Sequence, residues 1–275
     1  MTGPGENHLR PGIVTLGHVP VSRFVLGGNP FSGYSHQNLE RSREMTDWYT
    51  MDRVKETYRQ AERAGVTTHI GRGDHFIMRA LREYWNEGGG LTWVCQTCPD
   101  VGSIERGVRN AVEGGAKCCF IHGGEMDCRV ASGDTEPVHD GIKMIRDHGM
   151  PAGVAGHSTK TIRWAADNLD VDFFMASHYN PEDRSWCPIA SGGEELYLEE
   201  DRDAMGALIQ ELPKPTIHYK VLAAGRNEPK AAFDYVAGVY RPGDVVCVGI
   251  FTKDAPDMIQ RDVDLLETAL RARGK

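Results

Sequence analysis

The stretch Lys117-Cys118-Cys119-Phe120-Ile121-His122-Gly123-Gly124-Glu125 decides the fold. Small and apolar residues run without interruption into a histidine, followed by two glycines and a carboxylate. A short apolar run bounded by glycine reads as a strand covered on both faces, as in a parallel sheet. A polar imidazole at such a strand's C-terminal end falls where barrels and open α/β sheets carry their chemistry. The same grammar recurs at Thr67-Thr68-His69-Ile70-Gly71, Gly153-Val154-Ala155-Gly156-His157-Ser158, Phe173-Phe174-Met175-Ala176-Ser177-His178-Tyr179 and Thr216-Ile217-His218-Tyr219-Lys220.

Outward from these runs the chain alternates strand and helix eight times. Strands are expected at Arg23–Gly28, Val66–Ile70, Leu91–Gln96, 117–122, Ala152–Ala155, Asp172–Ser177, 215–222 and Val245–Ile250. Helices are expected at Met51–Ala64, Phe76–Trp85, Ser103–Glu113, Val138–His148, Lys160–Asn168, Arg202–Gln210, Glu228–Val239 and Asp257–Arg271. Glycines close several of them, as Gly65 does. No linker or composition shift interrupts the series, so residues 1–275 read as a single (β/α)8 TIM barrel of the α/β class. Residues 1–20 read as an arm or short hairpin capping the base. Residues 179–200, with Trp186, Cys187 and Pro188, form the longest irregular stretch and are expected over the barrel mouth.

Composition narrows the function. Of 275 residues, 40% are hydrophobic and 25% charged, enough for a sizeable core. A formal net charge of -8 disfavours nucleic acid and anionic membrane as partners. No apolar run approaches a membrane span, and Met1–His8 lacks the apolar core of a signal peptide. The seven cysteines, several inside strands, read as reduced buried thiols of a cytoplasmic protein. A homo-oligomer is allowed and a small-molecule substrate expected.

If the strand C-termini converge on one mouth, five histidines meet there. Neutral imidazoles with carboxylates suit Zn, Mn, Co or Fe(II), because each neutral nitrogen offers a lone pair. The expected metal ligands are His69, His122, His157, His178 and Glu125, with Asp74 as a further carboxylate. Lys220, two residues beyond His218, is expected on the same strand face as a base or anion anchor. Catalytic roles are expected for His122, Lys220, His75 and Asp74. Substrate contacts are expected from Asn29, Arg72, Tyr179, Asn180 and His218. Gly225, Arg226, Thr252 and Lys253, after the seventh and eighth strands, sit where many barrels hold a phosphate.

Val21-Ser22-Arg23-Phe24-Val25-Leu26-Gly27-Gly28, Ala64-Gly65-Val66, Phe120-Ile121-His122, Tyr179-Asn180-Pro181 and Val248-Gly249-Ile250 together resemble the aldo-keto reductase superfamily. They keep the order and approximate spacing of its strands 1, 2, 4, 6 and 8. The resemblance implies the barrel fold and, for a member with the full reductase tetrad, NAD(P)H-dependent reduction. Of that tetrad only the histidine has a counterpart, His122. Isoleucine and histidine, at Ile70 and His75, stand where the aspartate and tyrosine belong. The third strand ends Cys95-Gln96-Thr97 without the lysine, and Ala155-Gly156 replaces the pair that would hold a nicotinamide amide.

Two enzymatic readings follow. One is a metal-dependent lyase, isomerase or hydrolase acting on a small carbonyl- or hydroxyl-rich molecule such as a sugar derivative. The alternative is a divergent NAD(P)H reductase with His75 in the tyrosine's role. A third reading, a catalytically silent scaffold, fits clustered ionisable groups less well.

Overall fold

The computed structural model describes residues 8–180 and 197–275. Its first element is a hairpin in which β1 (Ile13–Leu16) and β2 (Val19–Ser22) pair antiparallel. Gly17 and His18 make the two-residue turn, and Gly17 takes the left-handed φ of +58° that such a turn requires. Leu16, Val19 and Val21 pack in one cluster with Val25, Phe173 and Val245. A side chain on Gly17 would meet the Pro151 ring at 2.8 Å. The hairpin therefore plugs the N-terminal end of the barrel.

The barrel follows as β3 (Phe24–Gly27), β4 (Thr68–Arg72), β5 (Thr92–Gln96), β6 (Cys118–Ile121), β7 (Ala152–Gly156), β8 (Phe173–Ser177), β9 (Thr216–Tyr219) and β10 (Val245–Gly249). All neighbours pair in parallel, and β10 returns to β3 with Val246 opposite Phe24, closing the ring. Between the strands run α2 (Met51–Arg63), α3 (His75–Asn86), α4 (Ile104–Gly114), α6 (Glu136–Asp147), α7 (Thr159–Asn168), α8 (Glu199–Ile209), α9 (Pro229–Val239) and α10 (Met258–Ala272). This is the expected (β/α)8 barrel.

Two further helices depart from the sequence reading. The polar segment before Met51 folds as α1 (Leu39–Trp48), started by Asn38, whose side chain accepts the Arg41 N–H. Only Met45 of α1 is buried, so it lacks the apolar periodicity that announces a helix. The stretch after His122, where no helix is expected from the sequence, is α5 (Gly123–Ser132). Its two leading glycines conceal it, and its cap is His122 itself. Apart from residues 179–180 and 197–200, the long segment expected over the mouth lies outside the described residues; α8 begins within it, at Glu199.

Side chains alternate between two packed layers. Val25, Ile70, Val94, Cys118, Phe120, Ala155, Phe173, Met175, Ile217, Val245 and Cys247 fill the barrel interior. Leu26, Trp93, Cys95, Cys119, Ile121, Val154, Phe174, Ala176, Val246 and Val248 pack outward against the helices. The free cysteines Cys95, Cys98, Cys118, Cys119 and Cys247 are all buried, as structural thiols should be. Cys128 departs from the reduced-thiol reading, being disulfide-bonded.

The plug should matter to stability. Leu16 is 1% exposed, and Leu16→Ala is expected to cost about 2–5 kcal/mol. Urea denaturation of wild type and variant checks it; a change within about 0.5 kcal/mol, the size of an ordinary surface substitution, would mean that the hairpin is not part of the core.

Candidate active site

The period of two along a strand decides which histidines reach the mouth. His122 is in phase with Cys118 and Phe120, and His157 with Ala155, so both follow the interior-facing side. His157 is buried, and its Nδ1 lies 2.7 Å from Asp127 Oδ2. The His157 backbone N–H donates to the same carboxylate at 3.2 Å. Asp127 is itself 4% exposed and comes from α5, one turn beyond Gly123. With Nδ1–H donated to a carboxylate, the imidazole presents Nε2 as its basic nitrogen. Tyr219, in phase with Ile217, approaches the His157 ring edge-on at 5.6 Å between centroids. Its hydroxyl donates to the Gly156 carbonyl at 3.2 Å. Both side chains close on Gly123, where a Cβ would meet His157 Cε1 at 2.9 Å and the Tyr219 hydroxyl at 3.1 Å. Glycine is required there.

His122 caps α5, its Nδ1 accepting the Glu125 N–H at 3.4 Å. Its own N–H donates to Thr97 Oγ1 at 3.0 Å. On the adjoining wall, Arg72 donates to Asp74 Oδ2 at 3.0 Å, approaches Cys98 Sγ at 2.5 Å and pairs with Asp100. The Tyr34 ring covers this guanidinium at 4.7 Å. Burial pushes the Asp100 carboxyl up, but Arg72, the Tyr34 hydroxyl and His122 outweigh it and hold the group below the usual carboxylate range. Burial also raises the Cys98 thiol despite Arg72.

The rim is built by the loops after β3 and β9. Lys220 takes φ 57°, which ends the strand alternation, so it does not share a face with His218 as expected. Its Nζ lies 3.3 Å from His36 Nδ1, and His36 Nε2 is 3.1 Å from the Asn29 amide. Arg226 donates to the His36 carbonyl at 3.1 Å, and Gln37 to the Ala224 carbonyl at 2.7 Å. Lys220 and Arg226 both approach the Tyr197 ring, at 5.8 and 4.4 Å. Tyr179 accepts from Asn227 at 2.7 Å, while Asn180 Oδ1 is buried without a hydrogen-bond partner among the described residues. The expected phosphate group divides. Lys253 is bonded to Glu44 at 2.7 Å and Thr252 accepts from Trp48 at 3.1 Å, both from the α1 side. Gly225 and Arg226 are exposed, and Arg226 has no carboxylate partner among the described residues.

Several expected assignments are corrected by geometry. His69, His178 and His218 are in the outward phase, beneath the helices. His69 Nδ1 bonds the Leu26 carbonyl at 3.0 Å, and its ring packs on Tyr58 and Phe31. His178 Nε2 lies 2.9 Å from His218 Nδ1, and His218 Nε2 lies 3.2 Å from Asp244 Oδ2. His218 must donate to that carboxylate, so its Nδ1 accepts from His178. Burial alone would raise Asp244, yet His218 and Arg241 hold it below the usual range. These three histidines are structural, and His218 is not a substrate contact. Glu125 is engaged by Arg129 at 2.8 Å. Asp74 caps α3 through the Ile77 N–H, and His75, the first residue of that helix, is exposed. Among the described residues no three His, Cys, Asp or Glu side chains stand where they could hold a metal ion. The expected five-ligand centre does not assemble, because the strand phase sends His69 and His178 away from His122 and His157. Asp127, Tyr219 and His36 are the mouth residues that sequence reasoning missed; for Tyr219 the signal was its phase with Ile217.

Burial drives the His69 imidazole down to about 3, and burial with neighbouring His218 lowers His178 well below its ordinary range. Both are neutral when folded but take up protons below about pH 6.5 when unfolded, so stability falls as pH drops through that window. For His69 alone, moving from pH 7 to pH 5 should cost about 2 kcal/mol. Urea denaturation at both values should show His69→Gln losing that much of the pH sensitivity; an unchanged slope contradicts the assignment.

No protein-family model matches the chain. No curated protein matches it either. Solved structures do. A candidate aldo-keto reductase from Pseudomonas aeruginosa, PA4992, is 16% identical with a TM-score of 0.61, over 94% of this chain and 96% of that one. A truncated 3-deoxy-D-arabino-heptulosonate 7-phosphate synthase from Thermotoga maritima is 12% identical with a TM-score of 0.58, over 96% and 94%. The glycerol dehydrogenase AKR11B4 from Gluconobacter oxydans is 12% identical with a TM-score of 0.50, over 94% and 74%. At these identities the likeness concerns architecture alone, a (β/α)8 barrel that aldo-keto reductases and the heptulosonate phosphate synthase share with this chain.

Proposed function

We propose that this chain is an enzyme that moves protons on a small carbonyl- or hydroxyl-rich molecule, a sugar derivative by preference, at the barrel mouth. The observation that carries the reading is the buried Asp127–His157 pair at 2.7 Å beside Tyr219. A carboxylate that holds the Nδ1 proton orients the ring and balances the charge when Nε2 accepts a second proton. His157 would then be the general base, with the Tyr219 ring, fixed by its hydroxyl on the Gly156 carbonyl, walling its edge. Arg226 and Lys220 at the rim suit a substrate with negative charge or many hydroxyls. The names of two structural neighbours, a heptulosonate phosphate synthase and a glycerol dehydrogenase, point to polyhydroxylated compounds. Lyase or isomerase chemistry fits this arrangement better than metal-assisted hydrolysis, whose expected ligands diverge.

The nicotinamide alternative has less support. Ala155 faces the packed interior, the Gly156 carbonyl is taken by Tyr219, and the Lys253 ammonium is held by Glu44. NADPH with a simple aldehyde should therefore give no turnover at ordinary reductase rates; robust NADPH oxidation would favour that alternative.

The direct test is hydrogen exchange on a panel of hydroxyaldehydes and hydroxyketones in D2O, followed by NMR. The wild type should exchange the hydrogen next to the carbonyl of at least one compound. Asp127→Asn should slow this by about 10²–10⁴-fold while the barrel still folds. Equal rates in wild type and variant would remove the acid–base reading.

A further inference from the structure

We infer that Arg226 receives an anionic head group of the substrate, a phosphate or a carboxylate, and so selects charged substrates over neutral sugars. This rests on the acid–base reading of the mouth and goes beyond it by naming the charge at the substrate's far end. The first observation is how the guanidinium uses its donors. Nη1 donates to two neutral acceptors, the His36 and Ala223 carbonyls, both at 3.1 Å. Nε and Nη2 form the edge that meets two oxygens of one carboxylate or phosphate side by side. Neither makes a hydrogen bond among the described residues. Other cations around this end of the barrel differ. Arg41 pairs with Glu44, Arg72 with Asp74, Arg202 with Asp203, and Lys253 with Glu44. Their charge is balanced by a carboxylate of the chain itself, whereas no described carboxylate balances Arg226.

The second observation is that this guanidinium is held in place. An ordinary surface arginine turns its donors to water and samples many rotamers. Here the Tyr197 ring lies against the guanidinium face at 4.4 Å, and the two carbonyls fix the Nη1 end. An anion that meets a donor edge already fixed loses less entropy on binding. Lys220, whose ammonium donates to His36 Nδ1 at 3.3 Å, approaches the same ring at 5.8 Å as a second cation.

The third observation is backbone conformation. Ala223, Ala224 and Gly225 take φ of 48°, 54° and 84°, three left-handed residues in a row of which only glycine adopts that region freely. Such conformations persist where surrounding contacts hold them, and they gather at binding sites. Here Gln37 donates to the Ala224 carbonyl at 2.7 Å, and the turn folds the Arg226 side chain back onto the carbonyl three residues before it. The same loop begins at Tyr219, whose ring stands beside His157. One loop thus carries the seat for the anion and the wall of the base, an arrangement suited to a short substrate with an anion at one end and a carbonyl at the other.

The test titrates the full chain with inorganic phosphate and, separately, with acetate, following arginine side-chain N–H signals by NMR. At least one anion should shift the Arg226 signal. Arg226→Gln should weaken that binding by about 10–100-fold. Arg106→Gln, at an exposed arginine of α4, should leave it unchanged. A response to phosphate alone identifies a phosphate ester, and a response to acetate alone a carboxylate. If neither anion shifts Arg226, or if wild type and Arg226→Gln bind equally, the proposal is overturned. Should Asp127→Asn lose hydrogen exchange while no anion meets Arg226, the anion seat falls and the acid–base reading stands. Should the anion bind through Arg226 while Asp127→Asn exchanges normally, the reverse holds.

Discussion

The closed parallel barrel imposes one constraint on everything above it: each strand residue faces either the packed interior or the helix layer, and neighbours alternate. Val25, Ile70, Ala155 and Ile217 set the phase. A histidine in phase with them continues toward the mouth. One out of phase is sealed under helices, where an unpaired polar atom is costly. His69 meets this on one side only, Nδ1 bonding the Leu26 carbonyl while Nε2 is buried with no hydrogen-bond partner among the described residues; His178 and His218 meet it with a chain that ends on Asp244 and Arg241. The same phase separates catalytic candidates from structural imidazoles.

The mouth is then completed by insertions. Helix α5, inserted after β6, swings Asp127 under His157, and Gly123 lets the two come close. The loops after β3 and β9 reach each other past the end of β10 through His36, Gln37, Ala224 and Arg226. Each device costs local stability: glycines at a helix start, left-handed non-glycine residues, a buried carboxylate. A rigid closed scaffold tolerates such costs, which is why barrels carry chemistry on these loops.

Most of the architecture was legible because eight apolar runs alternate with amphipathic helices. The site was legible only in part. His122 and His157 could be placed by counting in twos from Phe120 and Ala155, and the same count excludes His69, His178 and His218. Asp127 could not be placed, because its helix starts with two glycines and no conventional cap. Lys220 could not be placed either, since nothing in Tyr219-Lys220-Val221 announces a left-handed residue. Glu125, Asp74 and Lys253 illustrate a different limit. Their residue types fit a site, but a nearby opposite charge or helix N-terminus engages each of them.

The ring closes between the ends of its chain segment. Its last pairing sets Val246 beside Phe24, joining the first barrel strand to the eighth, and α10 is bound to the same region through Arg23 and Glu267. Contacts so distant in sequence carry the largest loop-closure entropy, which makes this pairing the costliest of the ring to form. Until it occurs, the apolar face of the hairpin, Leu16, Val19 and Val21, lacks the complete set of strands that covers it. An unfinished barrel therefore presents that hairpin face as exposed apolar surface, the kind that associates with other chains.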